Sequence, residues 1–109
     1  MVGPVNNLAP NSHFHEGKKA FEREDWNEAI RAFHAAIDAD RHHADSYIEL
    51  IRSYEAAADE NDDAELFDRA ARICSEARKL HLDERRRAIV DEAADRIADR
   101  AQELRGMDE

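Results

Sequence analysis

The chain has one cysteine, two prolines and three glycines in 109 residues, and its aromatic content is 6%. A lone Cys74 excludes an internal disulfide. Both prolines, Pro4 and Pro10, fall in the first ten residues, so nothing downstream carries the strongest helix stop. Few aromatics mean a core assembled from alanine and aliphatic side chains. No stretch approaches the eighteen or more apolar residues of a membrane span. No apolar segment of signal-peptide length follows Met1 either, so a cytoplasmic location is expected. Lysine is confined to Lys18, Lys19 and Lys79 in a chain of net charge -10. That balance argues against nucleic acid as a partner, because phosphate binding needs clustered Lys and Arg that release counterions. The same field would speed encounter with a basic partner without naming one.

What is present is helical. Charged residues make up 39% and hydrophobic residues 42%, the mixture of Ala-seamed helices with salt-laced outer faces, in an amount suited to one compact domain. Residues 1–11 carry turn formers and no helical period, which predicts an extended or disordered lead-in from which Val5 and Leu8 could dock. Asn11 or Ser12 is expected to cap a first helix running to about Glu24. Asp25 with Glu28 has capping-box spacing before a stripe of Ala29, Ile30, Phe33, Ala36 and Ile37, predicting a second helix over Trp26 to Ala39. After Asp40-Arg41-His42-His43, the set Tyr47, Ile48, Leu50, Ile51, Tyr54, Ala57 and Ala58 predicts a third helix. Asp62 with Glu65 offers another capping box before Leu66, Phe67, Ala70, Ala71, Ile73, Cys74 and Ala77, a fourth helix reaching about Leu80. Ile89, Ala93, Ile97, Ala101 and Leu104, widened by Val90 and Ala94, predict a long fifth helix over 84–105, with Gly106 as its C-cap and 106–109 as a tail.

Two of these segments repeat. Ala29-x-x-x-Phe33-x-x-Ala36 closes one hairpin, and Tyr47-x-x-Leu50-Ile51-x-x-Tyr54 opens another. Gly17 stands at the close-packing glycine position, and Glu24-Asp25-Trp26 supplies the turn between helices. Tyr47, Leu50, Ile51 and Tyr54 each lie thirty-four residues after a first-helix counterpart, and in these positions the chain resembles the tetratricopeptide repeat family. The resemblance departs at His13, Glu16, Ala20 and Arg41, which occupy the family's Trp, Leu, Tyr and Pro positions. It covers about Ser12 to Leu80, as repeat one over 12–41 and an extended repeat two over 44–81, with 84–105 as a capping helix. It implies an all-α, right-handed superhelical array of hairpins in a single domain over 12–105. Ala70-x-x-x-Cys74-x-x-Ala77 follows its counterpart by forty-one residues, so the second hairpin has gained seven, about two turns. Sharing them between two antiparallel helices lengthens each by about one turn and makes that hairpin project.

The resemblance further implies a noncatalytic module that holds a peptide or helical segment of another protein in a groove lined by the first and third helices. That reading implicates Asn11, Phe14, Lys18, Phe21, Asp45, Ile48, Arg52 and Glu55. Phe14 and Ile48 would anchor an apolar side chain, with Lys18 and Arg52 on a carboxylate or carbonyl. The paired asparagines with which some family members clamp a chaperone tail have no counterpart, so that ligand is not expected. The rival is assembly, a homodimer formed through a surplus apolar face of the fifth helix at Ile89, Val90, Ile97 and Leu104.

No catalytic residue, cofactor or metal is expected. The chain has no Ser-His-Asp order, Gly-rich phosphate loop, paired-Cys motif or His-Glu-x-x-His. His13 and His15, two apart on a helix, project from different faces, so with His42 and His43 they read as solvated or cap-supporting, not as a metal set. His34 is expected on the outer face of the second helix. Cys74 takes the place of Phe33 on its hairpin and reads as a buried small apolar residue. The acidic run Asp59 to Asp63 lacks the glycine and alternating ligands of a calcium loop and reads as an exposed turn.

Overall fold

The computed structural model describes residues 9–107, with side chains from Ser12 onward; of the lead-in expected over 1–11, residues 1–8, with Val5 and Leu8, lie outside the described residues, and 9–11 belong to the first helix. Those residues form five helices and no strand: α1 (Ala9–Glu22), α2 (Trp26–Ala39), α3 (Ala44–Asn61), α4 (Ala64–Ala77) and α5 (Glu84–Met107). Short connections make consecutive helices antiparallel neighbours, each packed on the next. α1 also touches α3, and α3 touches α5, whereas α2 and α4 do not meet. The row therefore bends so that α1, α3 and α5 share its inner side.

α1 starts at Ala9, three residues before the expected start at Ser12, so neither Asn11 nor Ser12 is its cap. Pro10 falls in the first turn, where a fixed φ suits the helix and a missing N–H removes no bond. α5 runs to Met107, so Gly106 is inside the helix and not its C-cap.

The two hairpin tips are built alike. α1 ends when Asp25 N donates to the Ala20 carbonyl (2.9 Å) and Glu24 N to that of Phe21 (2.9 Å), with Glu24 left-handed at φ 61. α3 ends the same way, Asp63 N on Ala58 O (3.0 Å) and Asp62 N on Asp59 O (3.5 Å), with Asp62 at φ 49. In both, an acidic residue holds the position glycine usually fills. The next residue then caps the following helix: Asp25 accepts from Glu28 N at 3.3 Å, and Asp63 accepts from Glu65 N at 2.9 Å. The second cap is thus Asp63, one residue later than expected, because Asp62 is committed to closing α3. Nor does Glu28 complete its box; its carboxylate is turned to Arg31 at 3.1 Å instead.

This turn pair recurs thirty-eight residues on, four more than the offset between the first helices and three fewer than that between the second ones. The inserted seven therefore divide as four ahead of the tip and three behind it. The expected lengthening appears in α3, with 18 residues against 14 in α1, but not in α4, which has 14 like α2: the three residues gained after the tip are offset at the far end, where α4 stops at Ala77 and not near the expected Leu80.

The core is fully buried alanine and a few large side chains: Ala20, Ala29, Ala32, Ala36, Ala58, Ala70, Phe33, Phe67, Leu50 and Val90. Its two buried serines are satisfied, Ser53 Oγ by the Glu49 carbonyl (2.8 Å) and Ser46 Oγ by His43 Nδ1 (2.6 Å).

Candidate functional site

The inner side of the row carries a cleft bounded by α1, α3 and α5, lined by Phe14, Lys18, Asp45, Ile48, Glu49, Arg52, Arg85, Arg86 and Ile89. Its floor is apolar. Phe14 is half-buried, tilted on Phe33 at 5.7 Å between ring centroids and edge-on to His43 at 5.1 Å. Ile48 is 5% exposed, so it forms the floor and does not project as an anchor; Ile89 is half-buried beside it. A smaller recess continues between α3 and α5 over Ile48, Ile51, Arg52, Ile89, Glu92, Ala93 and Arg96.

The rim is charged. Glu49, with a side chain 12% exposed, lies between Lys18 Nζ at 3.5 Å and Arg52 Nη1 at 3.3 Å. Lys18 also sits 5.8 Å over the Phe14 ring. Arg86 grips Asp45 through Nε (2.8 Å) and Nη2 (3.3 Å) and reaches Asp83 through Nη1 (2.6 Å). Its hydrogen bonds and charge hold the Asp45 carboxyl below the usual carboxylate range. Arg85 is exposed and makes no ion pair among the described residues.

Of the residues expected in the groove, Phe14, Lys18, Asp45, Ile48 and Arg52 come together. Phe21 does not; it packs edge-on against Trp26 at 5.0 Å near the first hairpin tip. Glu55 is held away by Arg96, through bonds of 2.8 and 2.9 Å. Asn11 lies outside the described side chains. Val90, Ile97 and Leu104, expected on a self-association face, are 0%, 1% and 8% exposed. α4 has width enough to cover them, since Phe67, Ala70, Cys74 and Ala77 are buried in the same cluster, and only Ile89 of that set stays partly open.

Sequence reasoning missed Glu49, Arg85 and Arg86. A signal for α5's position was present. Asp45, Glu55 and Asp59 pair with Arg86, Arg96 and Arg100, each forty-one residues on. A constant offset is what two parallel helices in fixed register produce, and the matching intervals between three acids and three arginines can be read from the chain.

The remaining candidates are placed elsewhere. Among the described residues no group of three or more His, Cys, Asp or Glu is set to hold a metal. His34 on α2 has Nε2 2.8 Å from Tyr54 Oη, and partial burial pushes its pKa below the ordinary histidine value. Cys74 is 1% exposed, and burial pushes its thiol up to about 11. At neutral pH its thiolate fraction is then about a hundredfold below that of an ordinary thiol. Alkylation by iodoacetamide in the native protein is expected to be slower by at least that factor and to recover fully in denaturant; a native rate equal to the denatured one would refute the burial.

Comparison with known proteins gives no match among family models, curated proteins or solved structures.

Proposed function

We propose that this chain is a noncatalytic protein-interaction module of the tetratricopeptide type, two hairpins in a right-handed superhelical array closed by α5, which holds a peptide or helical segment of a partner in the α1–α3–α5 cleft. The observation that carries the reading is the cleft itself, an apolar floor of Phe14, Ile48 and Ile89 under a rim that includes Lys18 and Arg52. The matched tips and the close approach of Gly17 to Phe33 support a repeat; the ring atoms of Phe33 stand 2.5–2.7 Å from where a Gly17 side chain would begin. Burial of Val90, Ile97 and Leu104 favours the cleft over self-association. No described helix is long and apolar enough to cross a membrane, which suits a cytoplasmic adaptor.

Selection of a random peptide library on the whole chain tests the reading. Binders are expected to be lost on Ile89→Asp and weakened in a salt-sensitive way by joint Lys18→Ala and Arg52→Ala substitution. Each exposed cation contributes up to about fivefold at low salt. Affinities unchanged in both variants would refute the cleft as the binding surface.

A further inference from the structure

The whole chain carries a charge of -10, yet the cleft is lined by four cations, Lys18, Arg52, Arg85 and Arg86, against two carboxylates, Asp45 and Glu49. Arg86 is taken up bidentately by Asp45 and, from outside the lining, by Asp83, whereas Glu49 is shared between Lys18 and Arg52, so there one internal carboxylate serves two cations. Arg85 has no carboxylate partner among the described residues. This local surplus of positive charge stands beside apolar surface on Phe14 and Ile89, both half-buried.

We infer that the segment this cleft accepts is acidic and amphipathic, placing side-chain carboxylates against Lys18, Arg52 and Arg85 and an apolar side chain between Phe14 and Ile89. The inference rests on the cleft reading above and adds the chemistry of the partner. Glu49 stands in for one of the ligand's carboxylates: it satisfies Lys18 and Arg52 in the free protein and competes with the incoming group. A short acidic segment meets mainly this near field, because charges farther away than about 8–10 Å are screened at moderate salt. A long polyanion such as nucleic acid would also meet the acidic remainder of the surface, which disfavours it.

Three readouts on the selected library peptides test the proposal. Enriched sequences are expected to be acidic relative to the starting library. Arg52→Glu and Arg85→Glu, both at exposed positions, are expected to remove that bias. Glu49→Gln is expected to tighten the acidic binders several-fold, the reverse of what loss of a merely structural contact would do. Neutral or basic enriched sequences that still depend on Ile89 would overturn the acidic partner and leave the cleft reading standing. Enrichment insensitive to Ile89→Asp would overturn both. Displacement of the peptides by a single-stranded oligonucleotide at equal concentration, or Glu49→Gln weakening them, would likewise overturn the proposal.

Discussion

Replacing Ile97 with aspartate is expected to unfold the chain. Ile97 is 1% exposed and lies in the cluster that joins α5 to α4. Removing its side chain from such a site costs about 2–5 kcal/mol, and a carboxylate left there without a partner adds several more. Domains of this kind have about 5–15 kcal/mol in total, so the sum reaches or exceeds what holds the fold. Far-ultraviolet circular dichroism should show lost helicity with no cooperative melt. The neighbouring Ala98→Asp is the control, because Ala98 is exposed and its change should cost no more than about 1 kcal/mol, mostly lost helix propensity. A well-folded Ile97→Asp protein with an unchanged midpoint would mean that α5 does not pack as described. The contrast also decides how self-association can be probed: a charge at Ile97 reports on folding, whereas one at half-buried Ile89 reports on the surface.

Much of this architecture was legible because helical periodicity identifies which face of a segment is apolar. Of the expected α2 stripe, Ala29, Phe33, Ala36 and Ile37 are buried and Ile30 only partly, and α2 has the expected bounds. Periodicity does not identify what covers a face. Hence Val90, Ile97 and Leu104 could be read as surplus when Phe67, Ala70 and Cys74 of α4 bury them. Cap choice was ambiguous for a related reason: in Asp62-Asp63 two adjacent acids are chemically equivalent, and only the left-handed closure of α3 decides which one is free to cap α4. The cleft was half legible, since groove positions on α1 and α3 follow from the resemblance to a repeat. α5's contribution required the register between two helices forty-one residues apart, information carried by charge intervals instead of apolar ones.

The contact between Gly17 and Phe33 gives the second large effect. In an isolated helix Gly17→Ala would be favourable by about 1 kcal/mol. Here the new methyl would stand 2.5–2.7 Å from Cε1, Cδ1 and Cζ of Phe33, a ring 0% exposed and backed by Phe14 at 5.7 Å. The ring has nowhere to move, and overpacking of this kind costs about 1–3 kcal/mol, enough to cancel the helix gain and destabilise the chain. Phe33→Ala, which leaves a cavity instead, should cost about 3–5 kcal/mol in urea unfolding. The discriminating experiment combines Gly17→Ala with Phe33→Leu. The smaller side chain makes room for the methyl, so the double variant should be more stable than the summed single effects by about 1 kcal/mol or more. Additive costs would show that the two residues do not touch. Because Phe14 in the cleft rests on the same Phe33 ring, pushing that ring aside also disturbs the cleft floor. A folded Gly17→Ala protein should therefore bind the selected peptides more weakly, and Phe33→Leu should restore that affinity together with stability.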